Sequence, residues 1–132
     1  MSWIAAYFAA AVSFLALDAL WLGVVAQKLY QREFGPMLLE KPNMGAAAVF
    51  YALYLFGVVF FAVKPALEAG GWTRAMLNGA LFGLIAYATY DLTNLATLKG
   101  FPVRVVAPDL IWGMVVTTAA ALAGYAAASR FS

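Results

Sequence analysis

The chain has 132 residues, of which 66% are apolar and 11% are charged, and its formal net charge is +2. Soluble domains are about half apolar and about a quarter charged, so this composition indicates a protein that lies in lipid. The small, scattered charge argues against a nucleic-acid partner. Because the chain has no cysteine and no histidine, it excludes disulfides, Cys/His zinc sites, histidine-ligated haem and Ser-His-Asp catalysis. No cofactor and no metal are predicted.

Four apolar segments are long enough to cross a bilayer as helices, which takes about 20 residues each. They cover residues 3–25, 45–63, 73–98 and 105–128. The first has no basic stretch before it and is too long for the apolar region of a signal peptide, so we expect it to be retained. Backbone groups in lipid must bond internally, and no segment alternates as barrel strands do. The sequence therefore predicts an all-α integral membrane protein, with residues 1–132 forming a single four-transmembrane-helix bundle.

Three connections join these spans. The first, residues 26–44 (AQKLYQREFGPMLLEKPNM), has apolar and charged residues at helical spacing until Gly35-Pro36 breaks the pattern. This pattern predicts an interfacial amphipathic segment between helices 1 and 2. The second connection, residues 64–74 (KPALEAGGWTR), is expected to be a short turn with Trp72 at the interface, and the third, residues 99–104 (KGFPVR), a shorter one.

The basic residues near the span ends set the expected orientation. With four spans, the first and third connections share one side, and both termini share the other side with the second connection. Connections 1–2 and 3–4 carry five basic residues against three, so they are predicted to be cytoplasmic. The five are Lys28, Arg32, Lys41, Lys99 and Arg104, and the three are Lys64, Arg74 and Arg130.

The third span contains an unusually polar stretch, AYATYDLTNLATLKG, at residues 86–100. Gly79 and Gly83 form a GxxxG pair on the same helical face as Tyr87, Asp91 and Asn94. Small residues four apart let helices approach closely, so this face is predicted to meet a neighbouring helix. Asp91 should therefore point into the bundle and not to lipid. Similar small-residue stripes are Ala5, Ala9 and Ser13 on the first span and Gly113, Thr117 and Ala121 on the fourth.

Three acidic residues, Asp18, Asp91 and Asp109, lie within the predicted spans. An ionisable group there tends to mark an ion path, a binding site or a structural pair. At a rise of about 1.5 Å per residue, the three lie roughly 15, 12 and 7–8 Å along their helices from basic residues of one membrane side. Three helices thus bring carboxylates into the same half of the bilayer. Because all three cannot be ionised cheaply there, at least one should hold a proton near neutral pH, and the group should titrate as a coupled unit.

Each of these residues also has a structural alternative. Asp109 follows Pro108, and a proline at the first helical position with an aspartate in the first turn is an ordinary helix start. Asp18 could pair with Asn94 or with a tyrosine across a helix interface. Trp21 and Trp112 could be interfacial or packing residues.

The stretches FLALDALWLG, YDLTNLATLKGFP and DLIWG, in this order, resemble the bacterial integral membrane family called domain of unknown function 2177. The resemblance covers nearly the whole chain, and YDLTNLATL is its most specific part. With the distribution of basic residues, it implies a multi-pass protein of the bacterial inner membrane with periplasmic termini. It also gives a hint of lipid chemistry, through lipid-modifying enzymes of the cyclopropane-synthase type encoded near family members. The motif residues carried over by position are Asp18, Trp21, Tyr90, Asp91, Thr93, Asn94, Thr97, Asp109, Trp112 and Gly113.

We interpret the polar cluster as a pocket in one leaflet that binds or transports a small molecule, a proton or a lipid head group. This interpretation is favoured over an enzyme. Membrane lipid is an expected partner, and four helices are few for a transport path, which favours a homodimer. The alternatives are an enzyme or accessory factor in membrane-lipid modification and a structural subunit of a larger membrane complex. The candidate ligand- or proton-binding residues are Asp18, Trp21, Tyr87, Tyr90, Asp91, Thr93, Asn94, Thr97, Asp109 and Trp112, with Lys99 and Arg104 as counter-ions.

Overall fold

The computed structural model of the protein describes residues 2–25, 27–34 and 43–130, and these contain helices and no strand. The predicted all-α class is therefore confirmed for the described part of the chain. Its α-helices are α1 (Ser2–Leu20), α2 (Gln27–Phe34), α3 (Met44–Val58), α4 (Gly71–Thr97) and α5 (Val103–Arg130). Wider π-helical turns follow α1 at Trp21–Val25 and α3 at Val59–Val63, and a third lies at Ala66–Gly70.

Within the described residues, three helical stretches are long and apolar enough to cross a membrane. They are Ser2–Val24, Met44–Thr97 and Val103–Arg130. The middle stretch has 54 residues and contains both the second and the third predicted spans. The turn predicted over residues 64–74 is present but is narrower than expected, because the chain stays helical up to Gly70 and turns at Gly71.

The helical conformation beyond α3 has local causes. Pro65 fits the first turn of a helical segment, since the amide that proline lacks would be unbonded there. Lys64 and Glu68 are one helical turn apart and their charged groups approach to 3.7 Å. The chain leaves helical geometry at Gly71, whose φ of 68° is accessible to glycine at no steric cost.

Side chains before and after Gly71 contact one another, so the Met44–Thr97 stretch folds back on itself. The rings of Phe61 and Phe82 lie 5.8 Å apart, and the amide of Asn78 donates to the carbonyl of Phe61 at 3.0 Å. The ring of Phe82 also covers Gly57. The first half of α4 therefore runs beside the end of α3 and the π-helical turn that follows it.

The glycine face of α4 packs against α5, as the sequence predicted. Gly79 and Gly83 are buried, and a Cβ at Gly79 would lie 3.2 Å from the Thr117 carbonyl oxygen. A Cβ at Gly83 would overlap the carbonyl oxygen of Gly113 and lie 2.7 Å from the Thr117 side chain. This close approach of two backbones explains the small residues on both helices. The predicted stripe Gly113, Thr117 and Ala121 of α5 is buried throughout.

The buried face of α1 lies one residue away from the predicted small-residue stripe. Ala6, Ala10 and Phe14 are buried, whereas Ala5, Ala9 and Ser13 are only half-buried. Gly124 of α5 explains the choice, because its Cα faces the Ala6 carbonyl and the Ala10 methyl. A small residue on α5 thus determines which alanines of α1 are enclosed.

The connections around the other helices correct one prediction and leave another untested. Helix α5 begins at Val103, so Pro108 lies inside the helix and the ordinary helix start proposed for Asp109 is wrong. Proline there removes the amide that would bond the carbonyl of Arg104. The predicted amphipathic segment is helical over Gln27–Phe34, whereas the predicted break at Gly35-Pro36 lies outside the described residues.

Candidate functional site

The three aspartates come from three helices and lie in the same region of the bundle, with Asp109 interacting with each of the other two. Asp18 of α1 and Asp109 of α5 both line a cavity of about 440 Å³. Asp91 of α4 is fully buried, at 0% exposure, and its carboxyl lies within electrostatic range of Asp109. Asp18 is in turn within electrostatic range of Asp109. The prediction that Asp91 points into the bundle is confirmed by this burial.

Asp18 is held by two donors from other helices. The indole Nε1 of Trp112 donates to its Oδ1 at 3.2 Å, and the hydroxyl of Tyr51 approaches its Oδ2 at 3.5 Å. The indole of Trp112 also stacks on Trp21, with ring centroids 4.7 Å apart and planes 6° from parallel. The two predicted tryptophans thus stack on one another beside Asp18, and the proposed pairing of Asp18 with a tyrosine is present as a second contact.

The carboxyl of Asp91 has a different environment. Neither Oδ1 nor Oδ2 has a hydrogen-bond donor among residues 2–25, 27–34 and 43–130. The group that faces it is the carboxyl of Asp109. A buried polar group without a donor costs about 1–3 kcal/mol, and more when charged. Asp91 lies on the same helical face as Gly83, which packs closely against α5, so this face of α4 is buried at both residues.

The cavity combines carboxylates with aromatic surface. Its two acidic residues are accompanied by five aromatic side chains, and the residues described as lining it include no basic one. The volume of about 440 Å³ falls within the range of small-molecule sites. The lining residues are Phe14, Asp18, Leu22, Ala47, Phe50, Tyr51, Ala86, Tyr87, Tyr90 and Asp109.

Three further predicted residues of α4 lie near this cluster. Tyr87 is half-buried, lines the cavity and packs its ring against Gly113. Tyr90 also lines the cavity, although it is exposed and makes an edge contact of 6.1 Å with Phe101. Asn94 is half-buried and its side chain is a hydrogen-bond neighbour of Tyr90, one turn beyond the cavity wall.

Four other predicted residues are not brought to the cavity. The hydroxyl of Thr93 donates to the carbonyl of Thr89, and that of Thr97 to the carbonyl of Thr93 at 2.8 Å. Both threonines are exposed, and these bonds to their own helix occupy their donors. Lys99 and Arg104 are also exposed, and in the described part of the chain neither forms an ion pair with an aspartate. In the described part of the chain, the structure therefore gives no contact that supports the counter-ion role expected for Lys99 and Arg104.

The sequence analysis missed the contribution of α3. Tyr51 bonds Asp18, and the buried hydroxyl of Tyr54 lies 2.5 Å from that of Thr117, so α3 and α5 share a hydrogen bond. The signal was available, because Tyr51 and Tyr54 are three residues apart in the apolar stretch FYALYLF and therefore share a helical face. Tyrosine hydroxyls inside a span need partners, and that need points to a polar interior.

The arrangement can hold positive charge or a proton, because its polar end presents carboxyl groups. Among the described residues, no three acidic, histidine or cysteine side chains converge as metal ligands do. The hydroxyl of Tyr51 is directed at Asp18, so the wall tyrosine suited to donating to a ligand is Tyr87.

The fold and the polar interior define a helical membrane protein with several candidate spans and a carboxylate-lined cavity. The sequence matches the family described as Predicted membrane protein (DUF2177) over residues 3–126, and the chain belongs to that family. This match confirms the resemblance carried by the LDALWLG and YDLTNLATL stretches. Comparison with curated proteins and with solved structures gives no match.

Proposed function

We propose that the protein is a membrane-embedded binding or transport module whose cavity takes a proton, a small polar molecule or a lipid head group from one leaflet. The observation that carries this proposal is the fully buried Asp91, whose oxygens have no donor in the described part of the chain, placed against Asp109 on the wall of a 440 Å³ cavity. Burial of an unsatisfied carboxyl reduces stability, so its presence beside a cavity favours a role in binding.

The topology we propose has four transmembrane helices. The contacts of Phe61 with Phe82 and Asn78 on either side of Gly71 support two crossings by the 54-residue stretch. At about 1.5 Å per residue a straight helix of that length would be roughly 80 Å long, far beyond a bilayer about 30 Å thick. We further propose a bacterial inner membrane, with cytoplasmic connections 1–2 and 3–4 and periplasmic termini, on the basis of the five basic residues against three.

The chemistry we propose for the cavity is competition between a proton and a ligand. Like charges on two adjacent carboxyls repel in a low dielectric, so the neighbouring side chains of Asp91 and Asp109 favour a partner that brings positive charge or hydrogen-bond donors. A proton and such a ligand each relieve this repulsion, so the two compete for the site. The titratable groups around the pair are Asp18 from α1, Tyr51 and Tyr54 from α3, and Tyr87 and Tyr90 from α4.

The substitution Asp91→Asn tests this role against a purely structural one. An asparagine amide can donate to Asp109, so we expect the variant to be at least as stable as the native protein, with a gain of about 1 kcal/mol in the free energy of unfolding. At the same time it should lose bound ligand and the pH dependence of binding. The measurements are unfolding of the full chain in mild detergent and mass spectrometry of whatever is retained after gentle purification.

Glu68→Gln provides the matched control. It also replaces a carboxylate by an amide, but Glu68 is exposed, pairs with Lys64 and is not among the residues that line the cavity. It should retain the same species as the native protein. If Asp91→Asn retained them equally, the proposed role of the cavity would be refuted. A large loss of stability without any change in retained species would instead support the structural-subunit alternative.

A further inference from the structure

The residues that line the 440 Å³ cavity indicate the charge of the ligand that would fit it. Its polar end is formed by Asp18 and Asp109, with the buried Asp91 directly behind Asp109. No lysine or arginine is among the residues described as lining the cavity. An anionic group placed at this end would be repelled by carboxylates in a low dielectric, whereas a cation would be attracted.

The rest of the wall distinguishes between kinds of cation. Phe50, Tyr51 and Tyr87 line the cavity together with Phe14 and Tyr90. Aromatic rings attract cations that have lost part of their water, and they do so best when the cation also carries apolar surface. A bare metal ion would instead require several converging oxygen ligands, and the described residues offer no such group of three acidic side chains.

We propose that the cavity binds an organic ammonium group, with Asp18 and Asp109 facing its charge and the aromatic wall facing its carbon substituents. This inference rests on the proposed binding function and specifies its ligand class. An ammonium with its substituents satisfies both halves of the wall at once, which neither a neutral polyol nor an inorganic cation does. Its N–H groups, where present, donate to the carboxylates in charge-assisted bonds.

The position of the cavity allows such a group to arrive from the bilayer or from water. Leu22, Phe50 and Tyr90, which line the cavity, are 43%, 48% and 56% exposed, so the cavity opens to the surface of the bundle. The ammonium of a phosphatidylethanolamine head group and a free amine have the same chemistry at this wall. Binding experiments separate the two sources.

The experiment uses the purified full-length protein in nanodiscs of phosphatidylglycerol, a lipid without an ammonium group. Calorimetric titration with ethanolamine and choline should show saturable binding, and ethylene glycol should bind at least about tenfold more weakly because it lacks the charge. In a parallel arm, native mass spectrometry of protein equilibrated with equal amounts of phosphatidylethanolamine and phosphatidylglycerol identifies the lipid retained. Retention of phosphatidylethanolamine alone supports the head group as the source, and binding of free amines alone supports a soluble ligand.

A pair of variants at Phe50 tests the wall without altering the aspartates. Phe50→Tyr keeps the ring and should keep the affinity for choline, whereas Phe50→Leu should weaken it roughly 3- to 30-fold, the range of a cation–π contact. Phe56→Leu is the matched control, because Phe56 lies on the same helix, is 59% exposed and stacks on Phe60 away from the cavity. Because Phe50 is half-exposed, its replacement is expected to leave the fold intact.

The outcomes separate this inference from the proposed function. Equal binding of ethylene glycol and ethanolamine, or unchanged choline affinity in Phe50→Leu, would overturn the ammonium assignment and leave a binding module for another ligand. If no probe binds, and if Asp91→Asn leaves the retained species unchanged, both the ammonium assignment and the proposed binding function would be overturned.

Discussion

Asp18 and Asp91 are both aspartates inside the bundle, yet their oxygens have opposite environments. Asp18 accepts hydrogen bonds from Trp112 and Tyr51, and these two donors stabilise its carboxylate. Asp91 has no donor among the described residues and faces Asp109 instead. The first aspartate is therefore positioned by donors from two other helices, whereas the second is buried beside another carboxyl.

The indole of Trp112 should be more important to Asp18 than the hydroxyl of Tyr51, because the nitrogen is closer, at 3.2 Å against 3.5 Å. We expect Trp112→Phe to lower the free energy of unfolding by about 1 kcal/mol through loss of this bond. Tyr51→Phe should have a smaller effect. Unfolding curves in detergent measure both, and an equal or greater loss in Tyr51→Phe would contradict this ranking of the two donors.

Replacing a glycine of α4 by alanine is predicted to reduce stability much more than the same replacement at a glycine in an open position. A Cβ at Gly83 would overlap the Gly113 carbonyl and the Thr117 side chain, so Gly83→Ala should cost about 1–3 kcal/mol by forcing α4 and α5 apart. Gly45→Ala is the control, since its nearest neighbour would be the Asn43 side chain at an ordinary 3.5 Å. Thermal unfolding should show a decrease for the first variant and little change, or a slight increase, for the second. Comparable effects at the two sites would argue against close packing at Gly83.

At the scale of whole elements, hydrogen bonds between helices support the packing of small residues. In lipid there is little hydrophobic drive to bring helices together, so van der Waals contact and interhelical bonds must do it. Helix α3 contributes through Tyr54, and Asn78 of α4 bonds the Phe61 carbonyl in the π-helical turn after α3. Such bonds determine the rotation of α3 about its axis, which its uniformly apolar sequence leaves open.

The bond between Tyr54 and Thr117 is suited to a double-mutant cycle. Tyr54→Phe and Thr117→Val each remove one hydroxyl with little change in shape, and both side chains are buried. We expect a coupling energy of about 0.6 kcal/mol, the average measured for such pairs in membranes, with an upper value of ~1.7 kcal/mol. The unfolding free energies of the two single variants and the double variant give this coupling, and strictly additive losses would mean that the two hydroxyls contribute independently.

At the scale of the whole molecule, the number of bilayer crossings determines on which sides of the membrane the two ends of the chain lie. Three helical stretches meet the requirements for a span, and the longest of them folds back near Gly71. With four crossings both ends of the chain lie on one side, and with three they lie on opposite sides. The orientation of the carboxylate cavity with respect to the two compartments follows from this count.

Single cysteines can decide the topology, because the chain has none of its own. We expect Ser2→Cys and Ser129→Cys to react with a membrane-impermeant maleimide from the same side, and Lys99→Cys from the opposite side. Labelling of intact cells compared with inverted vesicles measures this. Reaction of the two terminal positions from opposite sides would contradict the four-span proposal.

The sequence by itself determined the helical class, the family and the presence of apolar stretches long enough to cross a membrane, because these depend on apolar composition and on short local motifs. It also determined which face of α4 is buried, since Gly79 and Gly83 repeat at helical spacing on that face. The burial of Asp91 follows from the same repeat. Local periodicity is sufficient for such conclusions, as each concerns one helix considered alone.

Only the tertiary structure decided which residues from different helices share the site. Tyr51 bonds Asp18 from a helix whose apolar sequence shows little preference for one face, and Thr93 and Thr97 bond their own backbone instead of the cavity. Pro108, which resembles a helix start, lies inside α5 because the preceding residues are helical too. These features depend on the relative rotation and depth of neighbouring helices. In lipid those are fixed by close packing and hydrogen bonds between helices, which no single helix specifies.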